Sequence, residues 1–532
     1  GKVSNSGAGT IEITGGDITA IGASDGAGIG SGTWATGETN ITISGTAKIN
    51  ARTDQGGAGI GSGSDATGNT NITISGGTIG TAQGGDGKGK SGGSGIYSSR
   101  TLTVSDGTIG TAQGGVGNTS GGSGIYSKGD LNISQSAKIN NATGGDSTDG
   151  TGIGGDGIRS DGKFAISESL SGNANPYTIG TAKGGNGKSG GSGIFGKTME
   201  ILFGIINQAT GGNSTGTGEN DTGGAGISAS KSLAISGWIQ HATGGSGIHR
   251  GESLVISGGY IDDATGGNGG AGIGGRKNQN GNVEITGGTI EKAEGKNGGA
   301  GIGSGYIGGS STVNISGSAE FKNVMGGEYA AGIGSGHDSD NVDVVIDGGT
   351  INATGGFNAA GIGSGDNGPS SVTIKSGTVN AAGNKYSTSG SSGIGGSYTD
   401  VTISGGTITA TGTSEAPAIG GGTISTGLRV LDPAQADILQ NAQLVQLNQI
   451  SDVLYIDVAH ETASLQGVLS DLTGLRSERI ETVVFSTERC TSTLSLSDVA
   501  ALGASDTPFT LRHSGSTASF IVGGADHTAL LR

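Results

Sequence analysis

The sequence predicts an all-β chain whose larger part is a parallel β-solenoid, and three observations carry that prediction. The first is a recurring Gly-Ile step, GAGIGSG in its fullest form. It falls at Ile29, Ile60, Ile96, Ile125, Ile153, Ile194, Ile227, Ile248, Ile273, Ile302, Ile333, Ile362 and Ile394, with a degenerate copy at Ile419. Successive steps lie mostly 25 to 36 residues apart, with one interval of 41 and one of 21. Self-similarity on that scale marks units too small to bury a core alone, which stack to share one. The second observation is alternation of apolar and polar residues in short runs between the steps. The third is composition: 120 of 532 residues are glycine. They punctuate the apolar runs as corner residues do, whereas a Gly-rich linker has no such runs.

The segment from Val342 to Gly365 shows one coil. Val344 and Ile346 alternate with Val345 and Asp347, a period of two and hence a strand. Gly348-Gly349 forms a corner that can adopt positive φ. Thr350 to Ala353 is a second strand with Ile351 and Ala353 inward, and Gly355-Gly356 turns again. Ala360 to Gly363 is a third strand with Ala360 and Ile362 inward. Three short strands per coil make a triangular parallel β-helix, and about 14 such coils stacked at ~4.8 Å would form a rod of roughly 65 Å. The segments after GIGSG vary most, so insertions cluster along one edge.

Composition removes several classes. With 5 prolines and no Gly-X-Y period the chain is not collagenous. No apolar run reaches the ~18 residues of a membrane span. A net charge of −16 argues against nucleic acid as a partner. The one cysteine, Cys490, excludes an intrachain disulfide framework and suits an extracellular chain, at the cell surface or secreted. The chain opens at Gly1 in repeat-like sequence without a Met, and reads as a fragment or processed product.

The repeated elements VTISGGTI (Val401–Ile408) and GAGIG run from Ile11 to about Ile424. Through them the chain resembles the glycine-rich, right-handed parallel β-helix surface proteins of gut-type Gram-positive bacteria. Some members of that group look like calcium-dependent carbohydrate-binding domains, and the scaffold is shared with pectate lyases. The resemblance implies a right-handed helix and a surface or adhesion role. It specifies the scaffold well and a ligand poorly.

Glycine becomes sparse after Gly427, which divides the chain into a β-helix at 1–427 and a small α/β or α+β domain at 428–532. The second part predicts strands at Val453 to Val458, Thr482 to Phe485, Phe509 to Arg512 and Ser519 to Val522. It also predicts a helix around Ser464 to Leu475 and a short one near Ser495 to Leu502. Its expected job is to cover the open end of the solenoid.

Chemistry-bearing motifs are few. Gly84 to Ser91 fits G-x-x-x-x-G-K-S letter for letter, but solenoid sequence follows it where a phosphate loop needs a helix. Asp338, Asp340, Asp343 and Asp347 fall close enough to offer Ca²⁺ its hard oxygen ligands, and Asp146, Asp149 and Asp156 form a second cluster. No grouped acids with an arginine partner stand out, so an enzyme is not expected. Aromatic residues give a stronger signal. Trp238 and Tyr260 occupy an outward slot that is often Thr, one coil apart. In the third strand, outward glycines such as Gly28 and Gly30, or Gly332 and Gly334, leave a smooth strip. On that strip the second slot becomes Tyr97, Tyr126 and Phe195. Glycine in a strand costs about 0.5–1 kcal/mol relative to Ala, which points either to close approach of another surface or to tight curvature.

These readings converge on a stiff extracellular surface or adhesion module that is not an enzyme. Its expected partners are glycans or host-cell glycoproteins met at Trp238, Tyr260, Tyr97, Tyr126 and Phe195, with lateral self-association along the glycine strip. A polysaccharide-degrading β-helix and a phage receptor-binding segment are the rival readings.

Overall fold

The computed structural model describes residues 9–532, apart from 135, 168–177, 217–221, 385–390, 397–398, 414–415, 417, 421–427, 439–444, 451 and 479. The chain falls into two compact units, Gly1–Glu284 with Gly288–Lys296, and Ile285–Gly287 with Asn297–Arg532. The expected boundary at residue 427 lies outside the described residues.

The first unit is a parallel β-solenoid. In its early coils three strands per turn stand out: Thr39–Ile43, Lys48–Thr53 and Ile60–Gly61. The ladder of Gly-Ile steps runs unbroken and in parallel register through Ile29, Ile60, Ile96, Ile125, Ile158, Ile194, Ile227, Ile248 and Ile273. One member differs from the sequence expectation. Ile158, not Ile153, occupies the interior, while Ile153 is 58% exposed. The segment Gly155-Asp156-Gly157-Ile158 replaces the Gly-Ser-Gly-Ile of neighbouring coils, and it puts Ser160 in register with Ser127. Each inward Ile is shielded from water, a gain of about 1.5–3 kcal/mol per side chain, so the column of like residues supplies the core.

The second unit continues the same pattern through Ile302, Ile333, Ile362, Ile394 and Ile419. In the strand Val342–Thr354, Val344, Ile346, Ile351 and Ala353 are buried, as the alternation predicts, and Gly348 and Gly349 bend it at φ +129° and +83°. Polar ladders join outward positions: the Asn380 amide donates to Asn352 Oδ1 at 2.9 Å one coil away. The strand Val445–Ile450 then pairs antiparallel with Thr407–Thr411, so hydrogen bonding continues past that strand's outer edge.

Residues from Leu428 to Val522 supply a separate apolar core that includes Leu465, Leu472, Phe485, Phe509 and Phe520. An antiparallel sheet forms around the strands Thr462–Val468, Pro508–Ser514 and Thr517–Val522. The predicted helix at 464–475 is thus corrected in its first half. Ala463 and Leu465 are buried from strand conformation, paired with Pro508–Ser514, and helix begins only at Leu469–Gly474. Apolar residues there satisfy both periods, and the partner strand decides.

Candidate functional site

Six consecutive coils of the first unit differ from the rest. The glycine coils read Ile-Gly at the step, as at Ile29, Ile60, Ile302, Ile333 and Ile362. These six read Ile-Tyr-Ser at 96 and 125, Ile-Arg-Ser at 158, Ile-Phe-Gly at 194, Ile-Ser-Ala at 227 and Ile-His-Arg at 248. In the glycine coils the residue after Ile has positive φ, +140° at Gly30 and +134° at Gly61. A Cβ there would collide with the carbonyl oxygen of the next coil. The six coils keep extended backbone at that residue, as in the strands Ile96–Ser98 and Ile125–Ser127, and can carry a side chain. In the first three of them a buried serine, Ser98, Ser127 or Ser160, fixes the corner that follows. The Ser98 hydroxyl reaches the Thr70 carbonyl at 2.7 Å and the Thr101 carbonyl at 2.9 Å, and Ser127 repeats this one coil on. The glycines therefore answer to their own neighbouring coils, and no second surface is needed to explain them.

The result is an outward column of Tyr97, Tyr126, Arg159 and Phe195, in register across four coils. The Tyr97 and Tyr126 rings meet edge to face at 5.2 Å. The Arg159 guanidinium sits 5.3 Å from the Tyr126 ring centre and 5.0 Å from that of Phe195, close enough to both for cation–π attraction. Two carboxylates hold it: Asp161 Oδ1 takes Nε at 2.8 Å, and Asp156 Oδ2 takes a terminal nitrogen at 3.2 Å. Asp161 also accepts the Tyr126 hydroxyl at 2.6 Å. Burial, together with that carboxylate, pushes the Tyr126 phenol well above its ordinary range, and burial raises Tyr97 too. Asp156 stands where other coils have Ser94, Ser123 and Ser192, and it accepts the Ser192 amide at 2.6 Å. From a later coil, Arg276 reaches back to the Ser228 hydroxyl at 3.0 Å, and burial pulls its guanidinium down to about 10.

Two grooves flank Tyr97. One, of about 340 Å³, is lined by Ser64, Asp65, Ser94, Ser123, Tyr126 and Arg159 among others. The other, of about 690 Å³, is lined by Asn69, Ser99, Arg100, Lys128 and Asp130 among others. Tyr97 belongs to both. The sequence pattern does not single out Arg159 and its acids as a group, although Asp156 and Asp161 lie within three residues of it. Taking Ile153 as the step hides them. Using Ile158 turns the intervals of 28 and 41 residues into 33 and 36, a regularity that the sequence holds.

The other candidates are placed as follows. Trp238 and Tyr260 are paired neighbours with rings 5.7 Å apart, edge to face. The Trp238 indole donates to Asp262 at 2.9 Å and the Tyr260 hydroxyl to Glu291. Asp263 is drawn to Lys292 at 3.5 Å and accepts the Thr265 hydroxyl at 2.6 Å, so these acids are already engaged by protein groups. The four acids considered for calcium do not converge. Asp343 and Asp347 lie four residues apart along one strand, about 13 Å by strand rise. Asp343 accepts Asn341 and Ser371, Asp347 accepts Ser376, and Asp338 accepts Asn367; Asp340 lies exposed in the loop. Asp146 and Asp149 receive backbone amides of Asn186 and of Thr151 and Gly152. Among the described residues, no group of three or more His, Cys, Asp or Glu is placed to hold a metal ion. In the second unit the structure adds a cluster that the sequence pattern alone did not suggest. His337 stacks on Tyr306 at 5.3 Å and meets Tyr329 at 5.1 Å, which contacts Phe357 at 5.6 Å. Tyr306 and His337 follow the same Ser-Gly pair one coil apart, a signal visible in the repeat.

Comparison with known proteins agrees with this architecture. A family model described as a beta helix repeat matches residues 11–33, 41–64, 254–275, 283–306, 344–366, 372–398 and 401–423. No curated protein and no solved structure matches the chain. The six coils bearing side chains on the third face have their steps between the second and third matched segments, where the repeat departs from its glycine form. In architecture the chain is a parallel β-solenoid with beta helix repeats in part of its length, and with a side-chain-bearing panel that the glycine coils lack.

Proposed function

We propose that this protein is an extracellular, non-enzymatic β-solenoid that binds glycans along the Tyr97–Tyr126 panel and otherwise serves as a stiff spacer. The observation that carries the reading is that Tyr97 is a wall of two grooves at once, beside a second ring in register with it. Sugars offer an apolar ring face and a rim of hydroxyls. An aromatic wall edged by Ser, Asn and charged groups matches both. The Trp238–Tyr260 pair is the weaker candidate, because its neighbouring acids are engaged already. Asp156 and Asp161 do pair with an arginine, which a polysaccharide-cleaving reading would look for. Their hydrogen bonds to Arg159, Tyr126 and the Ser192 amide favour a part in holding the panel in shape. The reading invokes no calcium.

A glycan array tests it, with one arm in calcium and one in chelator. Tyr97→Ala/Tyr126→Ala is expected to lose about thirtyfold in affinity, as loss of a hot-spot aromatic costs ≥ ~2 kcal/mol. Trp238→Ala/Tyr260→Ala is expected to bind as wild type does. Full binding by the first double variant would remove the panel from the site. No binding by the wild type would leave the spacer role alone.

A further inference from the structure

The larger groove carries information about which sugar it takes. It spans corner residues of three successive coils: Asn69 on the first, Ser99 and Arg100 on the second, Lys128 and Asp130 on the third, with Tyr97 as the aromatic wall. Arg100 and Lys128 are exposed, and neither has an ion-pair partner among the described residues. Four other cations of the neighbouring coils are committed, Arg52 to Asp54, Lys90 to Asp65, Arg159 to two acids and Lys163 to Glu200, and none of the cations left over, Lys48, Lys88 and Lys138, lines this groove. Asp130, the acid of the groove, already accepts the Lys163 amide at 2.8 Å. Two uncommitted cations against one engaged carboxylate leave the groove locally positive on a chain of net charge −16.

Resting on the glycan reading above, we propose that this groove selects an anionic sugar residue, one bearing a carboxylate or sulfate group. The sugar ring packs on Tyr97 while its anionic group meets Arg100 and Lys128. Arginine suits the task, since its planar fork matches the oxygens of either group. Repulsion from the distant acids of the chain is screened within about 8 Å at physiological salt, so the local pair of cations governs a single anionic unit.

The test uses the full chain and oligosaccharides in three matched forms: neutral, with a uronic carboxylate, and sulfated. Wild type is expected to favour at least one anionic form over the neutral one by about tenfold, and the two anionic arms identify the group. Arg100→Gln/Lys128→Gln should bind all three alike at the neutral level, while Arg100→Lys/Lys128→Arg keeps the preference. Tyr97→Ala should weaken all three together. Circular dichroism melting of each variant at the wild-type temperature establishes that only the surface has changed. Equal binding of the three forms by wild type overturns the anionic preference and leaves the glycan reading standing. A preference that survives in Arg100→Gln/Lys128→Gln likewise overturns the part given to these two cations. Absence of binding to every form overturns both readings.

Discussion

The glycine coils at Ile29, Ile60 and, in the second unit, Ile333 bury the same step residue as the six coils from Ile96 to Ile248, and they part from them in the backbone angle that follows it. In both, the step Ile is buried against like residues in adjacent coils. After that Ile the glycine coils turn through positive φ, +130° at Gly334, while the panel coils stay extended. The glycine coils thus present no side chain at that slot, and the panel coils present Tyr97, Tyr126, Arg159 and Phe195. The difference teaches that a solenoid can change its surface without touching its core, because core and surface are specified by adjacent residues with separate constraints.

The largest expected effect would break the claim that both kinds of coil bury the step residue. Ile125→Asp in the panel and Ile333→Asp in a glycine coil each bury an uncompensated charge, at a cost of about 3–5 kcal/mol. Both should lower the melting temperature measured by circular dichroism. An unchanged melt in either would show that its step residue is not in the interior of its own unit.

A smaller effect would sharpen the contrast between the two kinds of coil. Gly334→Ala forces a Cβ onto a positive-φ residue and into the Gly363 carbonyl, and should cost about 1–3 kcal/mol. Tyr97→Ala, at the equivalent panel slot, removes only a partly exposed ring and should cost about 1 kcal/mol or less. Chemical denaturation compares them. A neutral Gly334→Ala would mean that backbone conformation is not what separates the coils.

The smallest effect concerns ionisation. Burial, and then the hydrogen bond to Asp161, hold the Tyr126 phenol above the ordinary tyrosine range. A raised folded-state value favours the protonated form, so this stabilisation is whole below pH ~10 and is lost as pH rises through the folded value. Ultraviolet titration of wild type against Tyr126→Phe should show the missing phenolate only at the alkaline end. Asp161→Asn should shift it back toward neutral pH, and a Tyr126 titrating with the exposed tyrosines would discard the Asp161 contact.

Much of the fold is legible in the sequence because a solenoid repeats its constraints. The alternation at Val344, Ile346, Ile351 and Ala353 needs no long-range knowledge to read, since each coil restates it. The helix expected at 464 fails for the opposite reason. That segment occurs once, its apolar residues fit two periods, and pairing with Pro508–Ser514 settles the matter. At the candidate site, Tyr97 and Tyr126 can be aligned from the repeat. Arg159 cannot be aligned while Ile153 is taken as the step, although the Ser two residues after Ile158 marks the right one.

By itself the sequence determined the solenoid, its inward columns and the aromatic character of one stretch. Period-two patterning and corner glycines are local properties that stacking only repeats. Tertiary structure alone decided that the third-strand glycines answer to a neighbouring coil's carbonyl and that the four acids at 338–347 stay apart. It also decided that Arg159 lies between Tyr126 and Phe195 and that Tyr97 divides two grooves. Each of these depends on side chains from different coils meeting at ångström distances, and register between coils is fixed by the folded ladder rather than by any one repeat.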